Sequence, residues 1–348
     1  MNIKTLYILI ACLVIGASAY YFSSANKTIN SAEKIGSYFV PGLIDKLNDV
    51  TRIEITGANN KVLSTLFKND NSWLVKEKNQ YPADISKIRA SLLAVAEAKI
   101  LEQKTSNPDL YAKLGVEDIT AKEAQGVRVL IEYGNNNSSI IIGNPGPQIN
   151  KSRYVRNAGD RESWLINRKI DLNHDTAYWL RKDILSVEPD EVLEVIITLA
   201  DGSRLEIKNT NVEENIFEVT NLTDPESQVI DAELHQVTNA LSSFQLLDIA
   251  SDNSIFTDEV KTIEVSYQLK NGIILNLIGY EIAEEHFVAI DIQEMNEEGE
   301  VVDDAVKKKI TQLQAVTSGW VYKIPNVTYD SIYKSESDVL AITEDQLN

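Results

Sequence analysis

The order in which strand-like and helix-like segments recur constrains this chain more than any other feature. Val50-Thr51-Arg52-Ile53-Glu54-Ile55 alternates as a half-buried strand does, and Leu193-Glu194-Val195-Ile196-Ile197-Thr198 opens a second series in the same way. In the first series Val62 to Phe67 leads to Trp73-Leu74-Val75; in the second, Arg204 to Ile207 leads to Phe217-Glu218-Val219. Helical spacing follows in both, through Ile85, Ile88, Leu92, Leu93 and Ala96 and through Leu234, Val237, Leu241 and Phe244, with Asp84 and Asp231 placed to cap the two helices.

The second halves of the two series also correspond. Val127-Arg128-Val129-Leu130-Ile131 and Ile140-Ile141-Ile142-Gly143 predict a β-hairpin, as do Ile263 to Tyr267 and Ile273 to Gly279. Tyr154-Val155 matches Phe287 to Ile290, and Ser163-Trp164-Leu165-Ile166 matches Gly319-Trp320-Val321-Tyr322, with Trp164 and Trp320 as landmarks. Leu180 to Leu185 and Tyr333 to Leu340 close the two series alike. A shared order of so many elements points to an internal duplication. Strands outnumber helices and short turns join them, so the expected fold is α+β: two tandem repeats, 49–190 and 191–342, each an antiparallel sheet with a helix on one face, then a tail at 343–348.

Ahead of the repeats, Thr5 to Phe22 carries no charge, which at about 1.5 Å per residue nearly spans a hydrocarbon core. Tyr20, Tyr21 and Phe22 suit an interfacial belt, and Lys4 suits the cytoplasmic side. The expectation is a single transmembrane anchor at 5–22 and a polar stalk at 23–48, with the bulk outside the cytoplasm. Ala17-Ser18-Ala19 equally fits a signal-peptidase site, and Leu9-Ile10-Ala11-Cys12 a lipoprotein box; all three readings export the remainder of the chain.

Charge narrows the partners. The formal net charge of -19 disfavours nucleic acid and other polyanions. Val50 to Asp190 holds 20 Lys+Arg against 18 Asp+Glu, whereas Glu191 to Asn348 holds 9 against 31, so the second repeat is the acidic one. The acidic stretch from Glu281 to Asp304 reads as a solvated strand face and hairpin turn, since it lacks a calcium-loop pattern.

Motifs for chemistry are missing. Cys12 is the only cysteine, and His174, His235 and His286 have no mutual ligand spacing, so neither metal nor cofactor is expected. No GxSxG, Walker or GxGxxG pattern occurs. His174 beside Asp175 reads as a helix cap rather than an acid–base pair, and Ile142 to Pro147 as a turn. No catalytic residue is assigned and the chain is read as non-enzymatic. Arg153-Tyr154-Val155-Arg156 is the candidate ligand-binding feature: Arg153, Tyr154 and Arg156 offer donors and a ring suited to a carboxylate or phosphate, against the plainer reading of internal ion pairing.

Trp73-Leu74-Val75, Tyr81-Pro82-Ala83-Asp84, Leu114-Gly115-Val116, Ile142-Gly143, Arg153-Tyr154-Val155-Arg156 and Arg181-Lys182-Asp183-Ile184-Leu185 together resemble the bacterial family known as domain of unknown function 4340. The second repeat lacks the Tyr-Pro-Ala-Asp and Arg-Tyr-Val-Arg signatures. The resemblance implies an N-terminal membrane segment in the bacterial inner membrane, a periplasmic body and a setting near ABC transport components of the gliding-motility type, with no activity attached. The functional expectation is an accessory or scaffold protein that binds a membrane protein complex. The alternative is a periplasmic binding module for a small anion or glycan.

Overall fold

The computed structural model describes residues 33–147, 151–170, 172–250, 256, 262–295 and 304–341. The expected membrane helix at 5–22 and the tail at 343–348 lie outside the described residues. Among the described residues no helix is long and apolar enough to cross a membrane. The class is α+β, with two large antiparallel sheets and a few helices.

The chain divides into two compact units, one through Trp179 and one from Leu180. The first sheet contains β1 (Val50–Thr56), β2 (Val62–Asn69), β3 (Ser72–Val75), β4 (Tyr81–Pro82), β5 (Ile100–Gln103), β6 (Val127–Tyr133), β7 (Asn136–Pro145), β8 (Arg153–Asn157) and β9 (Ser163–Ile166), in the order β4-β3-β2-β1-β6-β7-β8-β9-β5. Alternation drives it: on β6, Val127, Val129, Ile131 and Tyr133 are buried while Arg128, Leu130 and Glu132 are half-exposed. Helix α1 (Ile85–Ala96) starts at Asp84, whose carboxylate accepts from the amides of Ser86 at 2.9 Å and Lys87 at 3.2 Å. It buries Ile88, Leu92, Val95 and Ala96, each of the larger ones worth about 2 kcal/mol. Ile85 and Leu93, expected on the buried face, are exposed.

Residues from Gly36 onward, expected as the end of a stalk, are part of the first unit. The Gly36 amide donates to the Ile100 carbonyl at 2.8 Å and that of Phe39 to Ala98 at 2.7 Å. Phe39, Val40 and Leu43 are buried, which explains why this polar stretch holds to the sheet.

The second unit contains β11 (Val192–Thr198), β12 (Arg204–Asn211), β13 (Ile216–Val219), β15 (Asp248–Ile249), β16 (Thr262–Leu269), β17 (Ile273–Ile282), β18 (Glu285–Glu294) and β19 (Val321–Lys323), ordered β13-β12-β11-β16-β17-β18-β19-β15. Asp183–Leu185 (β10), expected in the first repeat, pairs here with Phe244–Gln245 (β14). Helix α3 (Asp231–Asn239) buries Leu234 and Val237. Its N-cap is Ile230, not Asp231, which lies one residue inside, where a carboxylate still suits the helix dipole.

Apart from β4, the two sheets trace the same strand path, and their irregularities coincide. The β1–β6 ladder slips between Val50 and Arg52, and the β11–β16 ladder between Val192 and Glu194. Gly134 then donates to the Asp49 carbonyl just as Lys270 donates to Glu191. The registers make Ile142 the counterpart of Gly279, paired with Val127 and Val155 as Gly279 is with Ile263 and Val288. Trp164 lies opposite Val155 and Tyr322 opposite Val288, so Tyr322 is the counterpart of Trp164, two residues beyond the expected Trp320.

One further element of the second unit departs from expectation. Helix α4 (Asp304–Thr317) is inserted between β18 and β19, where the first unit has only the turn at 158–162. The acidic residues Glu281, Glu284 and Glu285 do surround a hairpin turn, formed by Ala283 and Glu284 at positive φ.

Candidate functional site

Two features of the first unit bring its motif residues together. At the first, two backbones cross with no room for side chains. A Cβ on Gly126 would lie 2.2 Å from the Gly115 carbonyl oxygen, and one on Gly143 would lie 2.3 Å from that of Leu114. Gly115 itself, at φ +66, ends the short helix α2 (Tyr111–Leu114) in the left-handed conformation. Leu114-Gly115-Val116 and Ile142-Gly143 thus share one close crossing.

Arg156 pins the same segment. It is 2% exposed, with Nε donating to the Val116 carbonyl at 2.7 Å, Nη1 to the Asp160 carbonyl at 2.9 Å and Nη2 to Asp118 Oδ1 at 2.6 Å. Its guanidinium lies 4.5 Å from the centre of the Tyr111 ring, and the Tyr111 hydroxyl donates to the Arg161 carbonyl at 2.6 Å. Tyr154 packs against the apolar cluster of Tyr111, Val116 and Ile141 on this side of the sheet.

On the other face Arg153 lines a cleft of about 440 Å³, a volume within the usual range for ligand pockets. Its walls are Gln125, Val127, Ile142, Gly143, Asn144, Pro145, Ile170, Leu172, Asn173, His174 and Tyr178. Arg153 Nη2 donates to the Ile170 carbonyl at 3.0 Å and Nη1 to that of Gly143 at 3.4 Å. Asn144 donates to Gln125 Oε1 at 3.3 Å. Asn173 Oδ1 accepts from the Asp175 amide at 2.8 Å, and its carbonyl accepts from the Trp179 indole at 3.3 Å. Tyr178 stands edge-on to Trp179, with Lys87 Nζ 4.7 Å from the centre of its ring.

The three candidate residues are therefore separated. Tyr154 and Arg156 share one face with Tyr111, and Arg153 lies in the cleft, as strand alternation requires. His174 is exposed at the cleft rim, while Asp175 Oδ1 accepts from the Ala177 amide at 3.0 Å and caps the short 3-10 turn at Thr176–Trp179. Ile142 to Pro145 does not merely turn: it extends β7 through a register shift and forms a cleft wall. Gln125, Asn144, Asn173 and Tyr178 carry no spacing signal, because they come from three separate segments.

The Tyr81-Pro82-Ala83-Asp84 motif has a different use. The Asp84 amide donates to the Trp179 carbonyl at 2.8 Å and Lys87 Nζ to that of Tyr178 at 3.0 Å, which ties the start of α1 to the end of the unit. In the second unit the Ile230 amide donates to Val339 in the same way, at 2.8 Å.

A family profile, DUF4340, described as a domain of unknown function, matches residues 73–270, more than half of the chain. The match runs from β3 to just past β16 and so continues across the division between the units. No curated protein and no solved structure matches the chain.

Proposed function

We propose that this chain, which belongs to the DUF4340 family, is a non-enzymatic accessory or scaffold protein of a membrane complex, an ABC transport system of the gliding-motility type. In this reading residues 5–22 anchor it in the bacterial inner membrane, the rest lies in the periplasm, and the two units are copies of one module. One observation supports it best. The residues that carry the family signature are committed to internal backbone acceptors and close packing, as Arg156, Gly115, Gly143 and Asp84 illustrate. Meanwhile the sheet faces away from the apolar core present half-exposed charged residues, among them Arg52, Glu54, Arg128 and Glu132, linked across strands. Mixed charge across a sheet face suits electrostatic selection of a protein partner.

In-cell crosslinking followed by co-purification tests the reading. The expected result is a stoichiometric permease or ATPase-complex subunit, together with extracytoplasmic activity of a reporter fused to the C-terminus. A cytosolic reporter, or a chain recovered without any membrane partner, refutes it. The second reading, a binding module for a small anion or glycan, draws its support from the cleft, where Arg153 is present and Tyr154 and Arg156 are not.

A further inference from the structure

The shared strand path lets the cleft of the first unit be compared with the same place in the second. Arg153 pairs with Ile166 one step before the Tyr154–Leu165 pair. His286 holds that position in the second unit: it precedes Phe287, which pairs with Lys323, and its carbonyl accepts from the Ile324 amide at 3.0 Å. By the same registers Ile142, a cleft wall, corresponds to Gly279.

In the second unit this place is filled by the chain itself. The Tyr329 ring, from helix α5 (Asn326–Ile332), stacks on His286 with centroids 4.1 Å apart and planes at 19°. Tyr333 follows at 4.4 Å from Tyr329 and lies so close to Gly279 that a Cβ there would meet its ring at 2.5 Å. In this aromatic ladder Tyr333 takes the position that the Ile142 side chain fills in the first unit, and Tyr329, stacked on His286, corresponds to the space beside Arg153 where the first unit has its cleft.

We propose that the cleft of the first unit is a docking pocket for the ring of a tyrosine carried by a partner protein, held by stacking on Arg153 as Tyr329 is held on His286. The proposal rests on the scaffold reading and names its point of contact. Arginine is suited to the role because its hydrogen bonds to the Ile170 and Gly143 carbonyls use the edge of the guanidinium, and stacking uses its face. The side chain of Ile142 occupies the position that Gly279 leaves to Tyr333, so the pocket takes one ring and not two.

The second unit supplies the probe, a synthetic peptide of residues 326–335. Its binding to the full-length protein is measured by fluorescence anisotropy and mapped by methyl NMR. Binding is expected to shift the methyl signals of Val127, Ile142 and Leu172. Tyr329→Ala in the peptide weakens binding about ten-fold or more, whereas Tyr333→Ala changes it little. Arg153→Lys in the protein, which keeps the charge and removes the plane, weakens it about ten-fold. Should that variant fail to fold, the two peptide variants still decide.

Absence of binding, shifts confined to other methyl groups, or a Tyr329→Ala peptide as tight as its parent overturns the pocket. Crosslinking in cells separates this failure from that of the scaffold reading. A folded Arg153→Lys chain that captures the full set of partners rejects the pocket alone. An unmutated chain that captures none rejects both.

Discussion

Replacing Arg156 by alanine tests whether the most buried charge among the described residues of the first unit is a clamp or a ligand contact. Its three hydrogen bonds differ in worth. The Val116 carbonyl belongs to a residue with no exposure, so losing its donor costs about 1–3 kcal/mol. Asp118 is 65% exposed on its side chain and recovers water, leaving about 0.5 kcal/mol for that ion pair. Removing the buried stem costs about 2 kcal/mol and the stacking on Tyr111 about 1 kcal/mol. These combine to about 5 kcal/mol, a large part of the 5–15 kcal/mol typical of a domain. The expected fall in melting temperature is about 10 °C. Arg156→Lys retains the stem and charge but loses the fork, and costs about 2 kcal/mol. Denaturant unfolding followed by tryptophan fluorescence suits the measurement, because Trp73, Trp164 and Trp179 report on the first unit and only Trp320 on the second. A loss below about 1 kcal/mol for Arg156→Ala refutes the clamp and returns Arg156 to the list of ligand contacts.

Gly143→Ala is expected to cost about 3 kcal/mol or to prevent folding, since the new Cβ would meet a backbone oxygen that no rotamer can move. Gly202→Ala, at φ +87 in open space, costs only about 1 kcal/mol of strain; equal urea midpoints for the two variants contradict the crossing. Alkaline pH reads out the aromatic ladder. Burial, and then the charges of Glu281 and Asp330, push the Tyr329 phenol from its ordinary 10.0 up to about 12; burial holds Tyr333 well above its ordinary value, with neighbouring tyrosines adding to it. A folded-state value above the unfolded one means that the unfolded chain releases protons first. The contribution to stability is complete below pH 10 and is lost as pH rises toward about 12. Ultraviolet titration of tyrosinate, compared with circular dichroism, checks this: ionisation of these phenols before any loss of structure counts against it.

Local patterns made much of this fold legible. Alternation located the longer strands of both sheets but not the short β4, β5 and β15, and Asp84 announced the start of α1, because each signal is contained within a few residues. The match of Trp164 to Trp320 slipped by two residues, a shift that keeps every side chain on its own face and that periodicity therefore cannot detect. Helix α4 went unseen because Lys307, Lys308 and Lys309 interrupt its apolar spacing, and only Ile310 and Thr317 are buried. The cleft was legible only through Arg153 and His174. Its remaining polar walls, Gln125, Asn144 and Asn173, meet through tertiary structure, on which the sequence carries no spacing signal.

The second unit explains how two signatures are lost without losing the sheet. Its counterpart of Arg156 is Ala289, since Arg156 pairs with Ile141 as Ala289 pairs with Ile278. Around Ala289 the guanidinium clamp is replaced by an apolar cluster of Ala250, Phe287 and Val321, with Phe256 edge-on to Tyr280 at 5.0 Å and to Phe287 at 5.2 Å. Replacement of a buried charge network by packed apolar groups is energetically near-neutral, so this exchange requires no change of function. The substitution of Arg153 by His286 differs in kind, because it accompanies filling of the adjacent space by Tyr329 and Tyr333. Of the two arginines in the Arg-Tyr-Val-Arg motif, Arg156 therefore accounts for stability, and Arg153 is the one whose surroundings differ between the units in a way that leaves room for a partner.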